Sequence, residues 1–199
     1  MSPSQKPHRP VVRDPGVLET LDEGSDPIEA LHAAHESAAA LLGAGRTAND
    51  PAVTERLLTL VDEIGLSTVA DLWAARPARS LPGALWRLYV LREWVTSDPD
   101  RVAREYAAGL QSAEPDPTLA DVESPGPDEV RRVADEILRG VFTGDFAVAL
   151  ERAAAFSRVV AAGRANVAHG TVPAPRAGLE QDAHDLAACA RLWRTGNLQ

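Results

Sequence analysis

Three aspartate–proline pairs, Asp26-Pro27, Asp50-Pro51 and Asp98-Pro99, each stand directly before apolar residues at helical spacing. The pair opens a helix in two ways. A carboxylate just outside the helix accepts from the free N–H groups of the first turn. Proline at the first helical position has no N–H to leave unpaired. After Asp26, Ile28, Leu31, Ala34, Ala38, Leu41 and Leu42 recur on one stripe, and Gly43 and Gly45 mark an expected end. After Asp50 come Val53, Leu57, Leu60, Val61 and Ile64, closed by Gly65, a residue suited to the left-handed backbone of a helix C-terminus. Asp98 opens a helix with Val102, Tyr106 and Leu110 on one face.

Other polar caps extend the pattern. Ser67 precedes a short helix carrying Val69, Leu72 and Trp73, and Ser80 precedes "LPGALWRLYVLREWV". Asp128 leads Val130, Val133, Ala134, Ile137 and Leu138 towards Gly140. Asp145 leads Phe146, Ala149, Leu150, Ala153, Phe156 and Val160, whose two alanines allow a neighbouring helix to approach closely. A last helix runs from about Leu179 to Thr195. Strand-like alternation of useful length is missing, and so is a repeat at solenoid spacing. The chain therefore reads as all-α, an orthogonal or irregular bundle of about seven helices.

Proline and glycine divide this series. Residues 1–25, with four prolines and two glycines, read as a flexible N-terminal arm, with a short turn near Val17–Leu21. Residues 26–112 read as the helical core, and 113–127 as an acidic, proline-rich linker. Residues 128–199 read as C-terminal helices packing on that core, with an irregular loop over 163–178.

Charge and composition narrow the function classes. The net charge of −9 repels phosphate backbones on average. It is unevenly spread: residues 14–75 hold twelve acids and two bases, whereas 76–105 hold six arginines and four acids. Lys6, Arg9 and Arg13 make the first thirteen residues basic. A DNA-associated regulator built on the arginines of 76–104 and the basic arm is thus one reading, disfavoured by the overall charge. A single cysteine, Cys189, excludes an internal disulfide framework and a multi-cysteine zinc ribbon. The lack of any long apolar run and of a secretory leader predicts a cytoplasmic protein with no membrane partner.

Catalytic and metal signatures are sparse. The sequence holds no dinucleotide fingerprint, phosphate-binding P-loop, G-x-S-x-G elbow or kinase set. It nominates no catalytic residue and implies no cofactor, and the reading leans away from an enzyme. Glu29, His32 and His35 form the nearest approach to a metal motif, an E-x-x-H pair with a second histidine one turn on. Helical di-iron bundles place such pairs inward, but they need a second E-x-x-H that this chain lacks. Glu29 and His35 also fall at or beyond the edge of the apolar stripe, so surface histidines are the expectation and a metal-binding bundle a second alternative. Glu180, Asp182, His184, Asp185 and Cys189 cluster in the last helix, where acids in a first turn also suit the helix dipole. Cys189, four residues before Trp193, reads as a packed thiol.

The sharpest feature is Leu81 to Val95. Leu81, Ala84, Leu85, Leu88, Leu91 and Val95 fall on one third of the helix, while Trp86, Val90 and Trp94 line the opposite side. Arg87 and Glu93 flank the second stripe, and Arg92 projects inside the first, where it needs a carboxylate partner. Either this helix is central and packed on both faces, or the tryptophan face is a working surface. Trp, Tyr and Arg dominate binding hot spots, so the predicted interaction surface is Trp86, Val90, Trp94, Arg87 and Arg92.

"LPGALWRLYVLREWV", together with "ALERAAAFSRVV" at 149–160, is similar to uncharacterised helical proteins of high-GC actinobacteria. The resemblance spans roughly residues 50–160 and rests on aromatic and arginine spacing. It agrees with the use of arginine in place of lysine at nineteen of twenty basic positions. It implies a helical fold and carries no functional residues. The resulting expectation is a non-enzymatic interaction or regulatory protein that binds a protein partner or self-associates.

Overall fold

The computed structural model describes residues 26–48, 50–112, 125–167 and 177–199. Among them the backbone forms nine helices and no strand. These are α1 (Pro27–Ala48), α2 (Pro51–Leu58), α3 (Leu60–Ile64), α4 (Leu66–Trp73), α5 (Leu81–Ser97), α6 (Pro99–Ser112), α7 (Pro127–Thr143), α8 (Phe146–Val167) and α9 (Ala177–Arg194). The expected N-terminal arm, and the acidic linker up to residue 124, lie outside the described residues.

The aspartate caps form as the local chemistry dictates. Asp26 Oδ1 accepts from Ile28 N at 2.9 Å, and Asp50 Oδ1 from Ala52 N at 2.9 Å. Asp145 Oδ1 accepts from Ala147 N at 2.8 Å, and Asp98 Oδ1 makes a longer bond of 3.4 Å to Arg101 N. Ser80 Oγ accepts from Gly83 N at 3.2 Å while its own hydroxyl donates to Pro77 O at 2.7 Å.

The helix ends depart from the sequence expectation. The single helix expected over 51–64 is two, because the backbone breaks at Thr59, whose hydroxyl donates to Glu55 O at 3.0 Å and competes with the backbone ladder. Gly65, at φ +84°, ends α3 as expected but also begins α4, so Ser67 lies inside that helix and does not cap it. Gly43 and Gly45 do not end α1, Gly140 does not end α7, and residues 163–167 and 177–178, expected in a loop, are helical, since α8 continues to Val167 and α9 starts at Ala177. Close packing accounts for Gly45, whereas a Cβ on Gly43 would meet nothing and one on Gly140 only an ordinary contact with Ala149. A Cβ on Gly45 would lie 2.6 Å from Phe142 Cδ1.

The most demanding case joins α6 to α8. A Cβ on Gly163 would fall 1.6 Å from Glu105 O, and one on Gly109 would fall 1.9 Å from Val159 O. Two helices therefore touch backbone to backbone through paired glycines. Around this crossing α8 buries Phe146, Leu150, Ala153, Phe156 and Val160, packing chiefly against α6 and α9. The two alanines act as expected: both Ala149 and Ala153 are buried, and Gly140 of α7 sits against Ala149.

The core is a single cluster drawing on all nine helices, dominated by Leu, Val and Ala with Tyr89, Phe142 and Phe146 as its largest fully buried side chains. The C-terminus closes on α5: Leu81 N donates to Gln199 O at 2.9 Å, and Leu198 is buried. No helix among the described residues is long and apolar enough to cross a membrane.

Candidate interaction surface

Helix α5 packs against α1, α4, α6, α7, α8 and α9, which explains why it is apolar on more than one side. Its main stripe, Leu81, Ala84, Leu85, Leu88, Leu91 and Val95, is buried throughout. Tyr89, between the stripes, is buried too and donates from its hydroxyl to Leu57 O at 2.7 Å. Burial pushes its phenol above the ordinary range, the charge of Arg92 opposing in part. Arg92 has the acidic partners that its position demanded: Nε lies 2.7 Å from Asp135 Oδ1 and Nη1 lies 3.5 Å from Asp62 Oδ2. Its side chain is only 12% exposed, so the pairing removes the cost of an isolated buried guanidinium.

The second stripe is half-buried. Trp86, Val90 and Trp94 form one wall of a cleft of about 180 Å³. Ser157 from α8 and Leu179, Asp182 and Leu186 from α9 face them, with Ala74 beyond the end of α4. Arg87 fixes the α9 wall to α5: its Nε reaches Asp182 Oδ1 at 2.9 Å, and its Nη1 donates to Gly83 O at 3.1 Å. Arg164 of α8 stacks over the Trp94 ring at 5.2 Å from the ring centroid. The guanidinium is held there by Glu105, a buried carboxylate 2.9 Å from Nη2. Arg101 meets the other Glu105 oxygen at 3.0 Å. The Trp94 ring is thus covered by a guanidinium of α8 that is paired to α6, while Arg87 ties α9 to α5 beside it.

Of the predicted surface residues, the fold brings Trp86, Val90, Trp94 and Arg87 together and turns Arg92 away, into its pairs with α3 and α7. The cleft also contains residues that the sequence reading did not nominate, Leu179, Asp182, Leu186 and Ser157. Leu179 and Leu186 are spaced i, i+7 on α9, a signal that they share a helix face. That spacing says nothing about which helix the face meets.

The other candidates separate. Glu29 and His32 are exposed and His35 is half-buried, lining a shallow groove with Leu31, Glu36 and Gln199. No group of three His, Cys, Asp or Glu residues among those described is arranged to hold a metal ion. In the last helix His184 is exposed while Asp185 and Cys189 are buried. Asp185 is bonded by Arg79 Nε at 3.0 Å and Gln181 Nε2 at 3.1 Å, and the Cys189 thiol donates to Ala78 O at 3.6 Å. Burial pushes that thiol up to about 11, far from a nucleophile's range.

Four of the six arginines over 76–104 have carboxylate partners: Arg79, Arg87, Arg92 and Arg101. Each such pair reduces the charge left to meet phosphate. A larger cavity of about 460 Å³ opens between α1, α2 and α7, lined by Arg46, Asp50, Glu55 and Arg139 among others. Its charges are already engaged: Arg139 bonds Glu55 at 2.9 Å, and Arg46 donates to Gly144 O at 3.1 Å.

The chain matches no protein-family model, no curated protein and no solved structure.

Proposed function

We propose that this chain is a non-enzymatic interaction protein whose working surface is the Trp86–Val90–Trp94 face of α5 with Arg87. The observation that carries this is the state of those aromatics: half-buried and walled by α8 and α9, with Trp94 under the Glu105-paired Arg164 and Arg87 tied to Asp182 beside them. Two tryptophans of an aromatic-poor chain are thereby kept at the surface, the residue type most enriched in binding hot spots. The size of the cleft favours a protein partner over a small ligand. At about 180 Å³ it falls below the roughly 300–1,000 Å³ typical of ligand pockets, and suits one apolar anchor side chain from a partner.

The first partner to test is a second copy of the chain, since a two-fold contact needs only one such face per protomer. Sedimentation equilibrium across a wide concentration range should give a dimer mass for the natural chain. Trp94→Glu, which sets a charge on the face, should shift it to monomer while leaving the helical circular dichroism unchanged. A chain that stays monomeric at every concentration, whether or not it carries Trp94→Glu, would count heavily against the proposal.

A further inference from the structure

The cavity of about 460 Å³ lies where the end of α1, the start of α2 and the end of α7 meet. Unlike the tryptophan cleft, it falls within the roughly 300–1,000 Å³ typical of small-molecule sites. The two share no residue. Pro51 and the fully buried Phe142 give the cavity an apolar lining.

Two guanidinium groups and two carboxylates line the same space. All four are engaged by hydrogen bonds, but only two have their charge met. Arg139 of α7 and Glu55 of α2 form an ion pair at 2.9 Å. Arg46 meets neutral acceptors: Nε lies 3.4 Å from Val141 O and Nη2 lies 3.1 Å from Gly144 O, both carbonyls at the end of α7. Its Cζ also lies 5.6 Å from the centroid of the Trp193 ring. Asp50 Oδ1 accepts from the backbone amide of Ala52 at 2.9 Å. Neither Arg46 nor Asp50 has an ion-pair partner among the described residues.

Those charges select the class of ligand. An anion drawn to Arg46 stands beside Asp50 and Glu55, which repel it. The start of α2 offers it no amide either. Ala52 N is taken by the Asp50 carboxylate, and Val53 N and Thr54 N by the Asp50 carbonyl. A cation drawn to Asp50 stands beside Arg46 and Arg139. A ligand with both charges finds a partner for each and leaves the Arg139–Glu55 pair intact.

We infer that this cavity binds a small zwitterion with an apolar side chain, of the amino-acid or short-peptide class. Arg46 takes its carboxylate, Asp50 takes its ammonium group, and Phe142 with Pro51 receives its side chain. A guanidinium already fixed by two carbonyls and an indole loses little freedom when it binds. The inference stands apart from the function proposed for the tryptophan face.

Isothermal titration calorimetry on the full chain tests it, with L-leucine and the dipeptide L-leucyl-L-leucine as separate probes. Each is taken to about 10 mM, enough to reveal a Kd near 1 mM. At least one should bind, and which one does sets the length of the ligand. Removing either charge from that probe, by N-acetylation or by C-terminal amidation, should weaken it about tenfold. Asp50→Asn removes the charge and keeps the helix cap, since asparagine caps as well as aspartate. It should weaken the zwitterion about tenfold and leave the N-acetylated form no weaker than in the natural chain. In amide NMR, the signals of Thr54 and Phe142 should shift on titration. Binding of neither probe, equal binding of charged and blocked forms, or shifts confined to other helices overturns the inference. So does full affinity in Asp50→Asn, or a loss there that both forms share.

Discussion

At the scale of single residues, the chain separates glycines that look alike in sequence. Gly43 and Gly163 both sit inside helices, but a Cβ on Gly43 meets nothing within 4 Å whereas one on Gly163 would overlap the backbone of α6. Gly43→Ala should therefore stabilise the fold by roughly 0.5–1 kcal/mol, the ordinary helix preference for alanine. Gly163→Ala should cost about 3 kcal/mol or more, because backbone cannot step aside as a side-chain end can. Urea denaturation of the two variants checks both signs. Equal effects would mean that the α6–α8 crossing is looser than the geometry shows. Nothing in the sequence distinguishes these glycines, since the atoms that would clash come from residues more than fifty positions away.

At the scale of elements, local chemistry set where helices begin far better than where they end. Caps at Asp26, Asp50, Ser80, Asp98 and Asp145 all bond the first turn, since the cap and its donors are sequence neighbours. Ser80 does more than the others. It is buried, and it ties the first turn of α5 to Pro77 in the connection from α4. Ser80→Ala should cost roughly 1–2 kcal/mol, at the upper end of the range for lost caps, and Ser80→Thr should recover part of it. Thermal melts followed by circular dichroism measure the difference; a loss below about 0.5 kcal/mol would show that neighbouring contacts hold the helix start without the hydroxyl.

At the scale of the whole molecule, two buried groups of α9 set opposite limits on the pH range of stability. Burial by itself would raise the Asp185 carboxyl, but the hydrogen bonds from Gln181 and Arg79, with the charge of Arg87, outweigh it and hold the group below its ordinary value. A depressed acid stabilises the fold above its unfolded pKa, about 3.9, and this contribution is lost as pH falls through the folded value. Cys189 works at the other end. Burial raises its thiol to about 11, so the unfolded thiol ionises first and stability declines as pH rises from about 8.5 towards 11. Urea midpoints should be level between pH ~5 and ~8 and fall on both sides. Cys189→Ala should flatten the first part of the alkaline fall, relative to its own plateau. An alkaline limb identical in that variant would assign the loss to other groups, Tyr89 first among them.

The sequence alone determined the class of fold and the candidate surface on α5, because capping and 3.6-residue periodicity are local rules that one helix obeys without its neighbours. It also showed that Arg92 needed an acid, since an isolated charge on a buried stripe is costly wherever it sits. The tertiary structure decided which acids answer, Asp135 and Asp62, and which of the nominated residues share a cleft. It turned Arg92 inward, left Arg87 at the cleft, and brought Leu179, Asp182 and Leu186 opposite the tryptophans. Those choices depend on the order and angle in which helices pack, and here a backbone-to-backbone approach is set by Gly109 meeting α8 and Gly163 meeting α6. A residue without a side chain leaves no periodic signal of its own, so the contact that most constrains the packing is the one least visible in the sequence.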